Sequence, residues 1–227
     1  MFNQQEFNQF VLQNNVIGIQ RESITLKSGR QSYFYVNWRT PMSDAFLLDH
    51  IASFVAVVAQ KVGADTIYGV PEGATKLGIV ASLRLAQASS RFGVGSHVIP
   101  MGRAKPKEHG DPRDKYFVGM PVGKTIVLED VTTTGGSLID TVDTLLESHI
   151  NVIAVITLTN RMEKRSDGLS VEQTINDRYK GRIKYIALSN AIELLPIVIQ
   201  RDKPDSKIVE ALQTEFDQYG VKPLVLL

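Results

Sequence analysis

The sequence predicts an α/β protein with a central, mostly parallel sheet flanked by helices. Short β-branched apolar runs alternate with segments of helical spacing between Thr66 and Leu188, the pattern of a parallel sheet covered on both faces. Polar residues able to do chemistry fall in the loops after the strands, which places them on one rim of the sheet. Over 227 residues, 43% are apolar and 22% charged, as in globular proteins. A net charge of +1 supplies no field to recruit nucleic acid or a membrane. The absence of cysteine excludes disulfides and thiolate chemistry and fits a reducing compartment. The longest apolar run, Ile51 to Ala59, is too short to span a bilayer. The N-terminus lacks a basic-then-apolar leader. The expectation is one cytoplasmic domain over residues 1–227, without nucleic-acid or membrane partners.

The elements follow in order. Phe7, Phe10, Val11 and Asn14 recur at helical spacing within Asn3–Asn15, with Gly18 as the stop. Two β-rich runs, Ile24–Lys27 and Tyr33–Trp38, flank a Gly-containing turn and read as a hairpin outside the main unit. Ser43-Asp44 caps a helix whose stripe is Leu47, Ile51, Phe54, Val55 and Val58, closed by Gly63. Thr66–Val70 is a buried strand, Pro71–Lys76 a rim loop, and a helix runs through Ile79, Leu83 and Leu85. Lys76 stands at that helix start, where the dipole disfavours a cation unless an anion is near. His97–Met101 reads as the next strand. Residues 103–115 are polar, basic and broken by Pro and Gly, as in a mobile lid or binding loop. Val152–Leu158 and Ile183–Leu188 are further strands; Asn190–Ile199 and Asp205–Tyr219 are helices. The apolar Val221–Leu227 suits edge packing or a subunit contact.

The informative stretch is Lys124 to Ser137, KTIVLEDVTTTGGS. The run Thr125-Ile126-Val127-Leu128 reads as a strand buried on both faces. Glu129 and Asp130 end it, Thr132 to Ser137 form a Thr/Gly loop, and Leu138, Val142 and Leu145 open a helix. Glycines turn backbone amides toward an anion, and the helix start adds about half a positive charge. The acids would repel a phosphate but suit hydroxyl donors or a metal. Phosphate beside vicinal hydroxyls describes a ribose 5-phosphate. Neither G-x-x-x-x-G-K-[ST] nor G-x-G-x-x-G is present in this loop.

VLEDVTTTGGS resembles the phosphoribosyl-pyrophosphate (PRPP) signature of the type I phosphoribosyltransferases. LKSGRQSYFYVNWR resembles the segment that opens orotate phosphoribosyltransferases, and Arg103, Lys107, His109 and Gly110 match their catalytic loop. The resemblance covers roughly Leu26 to Arg161 and implies the type I phosphoribosyltransferase fold. About residues 1–40 would contribute to a hood, with 103–116 as the mobile catalytic loop. It implies transfer of ribose 5-phosphate from PRPP to orotate, giving orotidine 5′-monophosphate and pyrophosphate. PRPP contacts would be Lys76, Glu129, Asp130, Val131, Thr132, Thr133, Thr134, Gly135, Gly136 and Ser137. Orotate contacts would be Lys27, Tyr35, Thr133 and Arg161. Catalytic roles fall to Lys107, Arg103, His109 and Asp130. Mg2+ is the implied cofactor, held mainly by PRPP with no direct protein ligand, and the implied assembly is a homodimer sharing the loop across subunits. Two departures stand out: Ala104 replaces a family lysine, with Lys105 next to it, and Tyr33 stands where proline is common. The alternatives are a phosphoribosyltransferase for another nucleobase, whose LKSGR segment and basic loop would be unexplained, and a non-enzymatic PRPP-sensing regulator. The latter would carry an added nucleic-acid module and a basic surface.

Overall fold

Alternating burial on one strand sets the architecture. In Lys124–Thr132, Ile126 and Leu128 are fully buried on one side and Val127 on the other. Each such side chain contributes about 1.5–3 kcal/mol by leaving water. The computed structural model describes residues 1–103, 105, 107–109 and 116–226. Ala104, Pro106 and residues 110–115, including Gly110 of the expected catalytic loop, lie outside the described residues.

In chain order the first elements are α1 (Gln4–Gln13), β1 (Ile17–Thr25), β2 (Gln31–Val36), a 3-10 turn at Pro41–Ser43, α2 (Ala45–Lys61), β3 (Thr66–Gly69) and α3 (Thr75–Gln87). The short strands β4 (Met101–Gly102) and β5 (Phe117–Val118) precede β6 (Lys124–Thr132) and α4 (Gly136–Glu147). Then come β7 (Asn151–Asn160), α5 (Val171–Arg178), β8 (Lys184–Asn190), α6 (Ala191–Asp202) and α7 (Ser206–Tyr219). The central sheet has the order β3-β6-β7-β8 and is parallel throughout. One core packs Ile126, Leu128 and Ile156 with side chains of α1, α2, α3, α6 and α7. The opposite core packs Val127 and Val155 with α4 and α5. Helices therefore cover both faces, as the alternation of the sequence predicts.

Several boundaries differ from expectation. Gly18 does not stop α1; it lies within β1, paired with Tyr35. The helix ends at Gln13 with Asn14 as its cap, and Asn15 turns the chain at φ 49°. β1 starts earlier than expected and stops at Thr25, so Lys27 sits in the hairpin turn. His97–Pro100 forms no strand; Pro100 lacks the N–H that a ladder requires. Met101–Gly102 instead pairs antiparallel with Phe117–Val118. Helix α5 went unread, although Ser170 and Gln173 form a complete capping box at its start. Asp44 caps α2 as expected, accepting from the Leu47 amide at 2.9 Å. Leu224 of the C-terminal run is buried in the first core.

Beside the sheet, α1 lays Phe7 and Phe10 on the Trp38 ring, with centroids 5.7 and 6.4 Å away. Trp38 is fully buried, and its indole N–H donates to Thr159 Oγ1 at 3.0 Å. At the other end of the sheet β3 and α3 touch through glycines. A Cβ on Gly78 would lie 2.7 Å from the Gly69 nitrogen, so only glycine permits that approach. Gly78→Ala should therefore destabilise the fold by about 1–3 kcal/mol. A lowered urea midpoint with an unchanged slope is the expected reading; an unaltered midpoint would refute the close packing.

Candidate active site

The site begins where β6 runs out of core. Glu129 is still buried, at 7% exposed, while Asp130 is half-buried. Glu129 accepts from the Asp130 amide at 3.0 Å, and Asp130 accepts from the Val131 amide at 2.8 Å. Burial pushes the Glu129 carboxyl up to about 9; the adjacent Asp130 charge adds to the rise and Lys27 opposes it. Unliganded, the pair therefore carries less than two negative charges at neutral pH. From the neighbouring loop, Gly73 lies against Asp130: a Cβ there would be 2.9 Å from Oδ2.

The Thr/Gly loop then turns into α4. Gly135 adopts the left-handed region at φ 69°, and a Cβ on it would meet Val171 at 2.8 Å, so glycine is required twice over. Arg165, unnoticed in the sequence, donates from Nη1 to the Thr134 carbonyl and holds the loop from outside. Thr133 to Ser137 line a cavity of ≈ 450 Å³ that also includes Glu129, Asp130 and Val131. Thr132 lies beneath it, buried, with its hydroxyl 2.7 Å from the Tyr185 hydroxyl.

The hairpin forms the facing wall. Lys27, Tyr35 and Trp38 line the cavity, and Lys27 Nζ donates to Ser137 Oγ at 3.0 Å across it. Arg39 also lines this wall and has no counterpart among the expected contacts. Nothing but its place after the aromatic run could have flagged it.

Arg161 lines the cavity's floor, yet it is only 2% exposed. Its Nε donates to Glu163, Nη1 to the Phe34 carbonyl, and Nη2 to Ser32 and Glu215. The guanidinium carbon sits 3.7 Å from the Phe34 ring centroid. An arginine has five N–H groups. Four bonds to protein acceptors leave one N–H on Nη1, so the pair of parallel bonds that a guanidinium can give a planar anion is not open in this arrangement.

Other expected residues lie away from the cavity walls. Lys76 donates to the Met42 carbonyl at 3.1 Å. Arg103 is half-buried, with its amide bonded to the Tyr116 carbonyl at 2.9 Å, and Lys107 and His109 are exposed. Among the described residues no cluster of three or more His, Asp or Glu could hold a metal. Glu129 and Asp130 are only a pair, so a bound cation would need most of its oxygens from a ligand. No helix among the described residues is long and apolar enough to cross a membrane.

A parallel sheet whose rim brings an acidic pair and a Thr/Gly loop to one cavity, faced by a hairpin, is the arrangement of a type I phosphoribosyltransferase. The fold agrees with the orotate phosphoribosyltransferase of Francisella tularensis, with a TM-score of 0.67 at 22% identity, over 95% of this chain and 99% of that one. The chain belongs to the orotate phosphoribosyltransferase family. It is 34% identical over 151 residues to the orotate phosphoribosyltransferase of Bradyrhizobium sp. (strain BTAi1 / ATCC BAA-1182), which spans 63% of this chain and 77% of that protein. Against the orotate phosphoribosyltransferase of Mannheimia succiniciproducens it is 27% identical, over 96% of this chain and 97% of the relative. No family model matches the chain.

Glu129 makes a pH prediction for the ligand-free protein. Its folded value of about 9 stands above the ordinary 4.5. The protonated form is therefore favoured by folding: stability is full below the unfolded value and is lost as pH rises through the folded one. Denaturation midpoints should fall between about pH 5 and about pH 9, and Glu129→Gln should flatten that fall. An equally steep fall in the variant would contradict the assignment.

Proposed function

We propose that the chain transfers ribose 5-phosphate from PRPP to N1 of orotate, releasing pyrophosphate. One observation carries the reading: the phosphate-type loop, the acidic pair and the hood residues Lys27 and Tyr35 share a single cavity. Loop amides from Thr133 to Ser137 would hold the 5-phosphate at the start of α4. Asp130 and Glu129 would accept from the ribose hydroxyls, with the proton held on Glu129 limiting repulsion of the phosphate. Tyr35 offers a ring face to the base, and Thr133 and Arg161 offer donors to its oxygens.

As the C1–O bond lengthens, the sugar gains oxocarbenium character and negative charge grows on the diphosphate. Cations placed there stabilise the transition state. The residues proposed for it are Lys76, Arg103, Lys107 and His109, on sequence match; each charge-assisted bond contributes about 1.5–3 kcal/mol. Lys76 would leave the Met42 carbonyl to reach it. The chemistry supplied by magnesium, when bound, is neutralisation of that diphosphate, whose own oxygens would fill most of its shell. A single catalytic domain, a hood from about residues 1–40, a catalytic loop over 103–116, a homodimer sharing that loop and a cytoplasmic location complete the proposal.

The direct test follows ultraviolet absorbance of orotate, uracil and hypoxanthine with PRPP and magnesium. Loss of orotate absorbance alone is expected; turnover of hypoxanthine alone would replace the base assignment, and PRPP binding without any turnover would favour a sensor. Lys107→Ala should lower kcat by more than roughly tenfold with little change in the PRPP KM. A changed KM alone would remove Lys107 from the transition state. Gly135→Ala should weaken PRPP binding by at least roughly tenfold, measured by calorimetry; unchanged affinity would exclude the loop as the phosphate cradle.

A further inference from the structure

Behind the floor of the cavity lies buried charge that the reaction above does not use. Glu163 is 2% exposed, and its carboxylate bridges two guanidiniums. Oε1 accepts from Arg161 Nε at 2.7 Å, and Oε2 accepts from Arg30 Nη1 at 2.9 Å. Arg30 belongs to the hairpin turn. It also donates to the Lys164 carbonyl at 2.6 Å and lies 4.4 Å over the Tyr219 ring. On the far side, Glu215 of α7 accepts from Arg161 Nη2 at 3.3 Å and from the Tyr33 amide at 3.2 Å.

Charge balance alone would need one carboxylate for Arg161. Here acceptors surround the guanidinium along three edges, and the Phe34 ring covers a face. Such a fork has a fixed plane and a fixed roll about its axis. Its one uncommitted N–H is then aimed, not free to search. An aimed donor on a permanent cation favours a planar, anionic base over a neutral one of similar size.

We propose that Glu163 is a positioning residue for the nucleobase: it fixes Arg161 and, through Arg30, couples that orientation to the hood. The proposal rests on the reading of Arg161 as an orotate contact. Nothing requires Glu163 to touch substrate. What it supplies is the orientation of the arginine that does, and the same carboxylate registers the hairpin wall against the end of β7.

Glu163→Gln keeps the shape but sets an amide NH2 against a guanidinium, donor facing donor. In steady-state kinetics the orotate KM should rise at least roughly tenfold, with the PRPP KM within about twofold. The preference for orotate over uracil should fall by a similar factor. Glu163→Asp should recover part of the loss, and Arg30→Lys should shift the orotate KM in the same direction by less. If Glu163→Gln does not fold, Glu215→Gln and Arg30→Lys give the same readout. A purely structural role would lower the active fraction and leave both KM values and the base preference unchanged, and that result overturns the proposal. The unsubstituted protein is assayed alongside: if it turns over no orotate, the base reading falls and the positioning role with it. Normal orotate turnover with unmoved KM values in folded variants removes the positioning role alone.

Discussion

Two carboxylates at the end of a doubly buried strand are the constraint on which the site depends. Because β6 is covered on both faces, its side chains are buried without a break from Thr125 to Glu129 and only then become half-buried, at Asp130 and Val131. Glu129 falls just inside that limit and Asp130 at it. Desolvation therefore acts unequally on neighbours in sequence, and the proton that would otherwise leave Glu129 is held. Next to the loop proposed as the phosphate cradle, that retained proton matters: two full charges would repel an anion held there.

The hairpin joins the body through polar links as well as packing. Lys27 reaches Ser137, Arg30 reaches Glu163, and Trp38 reaches Thr159. Thr159 in turn lies 2.9 Å from the Ser189 hydroxyl, which donates to the Leu158 carbonyl. These links anchor the hairpin to β7 and α4, the two elements whose starts and ends carry the site. A cavity wall fixed at several points keeps its shape when empty, which lowers the ordering cost of binding.

Much of this was legible in the residues, and the failures have physical causes. The strand, acids, loop and helix from Lys124 to Leu145 follow from apolar runs and glycine placement, which are local signals. Asp44 as a cap is local too. Arg161 stands just past the end of β7 and lines the cavity, as its place after an apolar run predicts; its burial depends on Glu163, Glu215 and Ser32, which only folding gathers. Thr132 adjoins the phosphate-type loop in sequence, whereas strand alternation turns its side chain toward Tyr185. Helix α5 carries a plain capping box, but an apolar stripe of only Val171 and Ile175 gives its sequence little periodicity. Arg39 and Arg165 carry no pattern of their own.

The alternation along β6 has a consequence for how such a chain can change. Ile126, Val127 and Leu128 assign their side chains to opposite faces by parity, and Glu129 and Asp130 inherit that count. Losing or gaining one residue upstream in the strand would send each side chain to the wrong layer. The same step would exchange which carboxylate is shielded and which is wet. Core and candidate site thus share one ruler. Length can drift in the turns around this strand, but inside it a single insertion would strike stability and chemistry together.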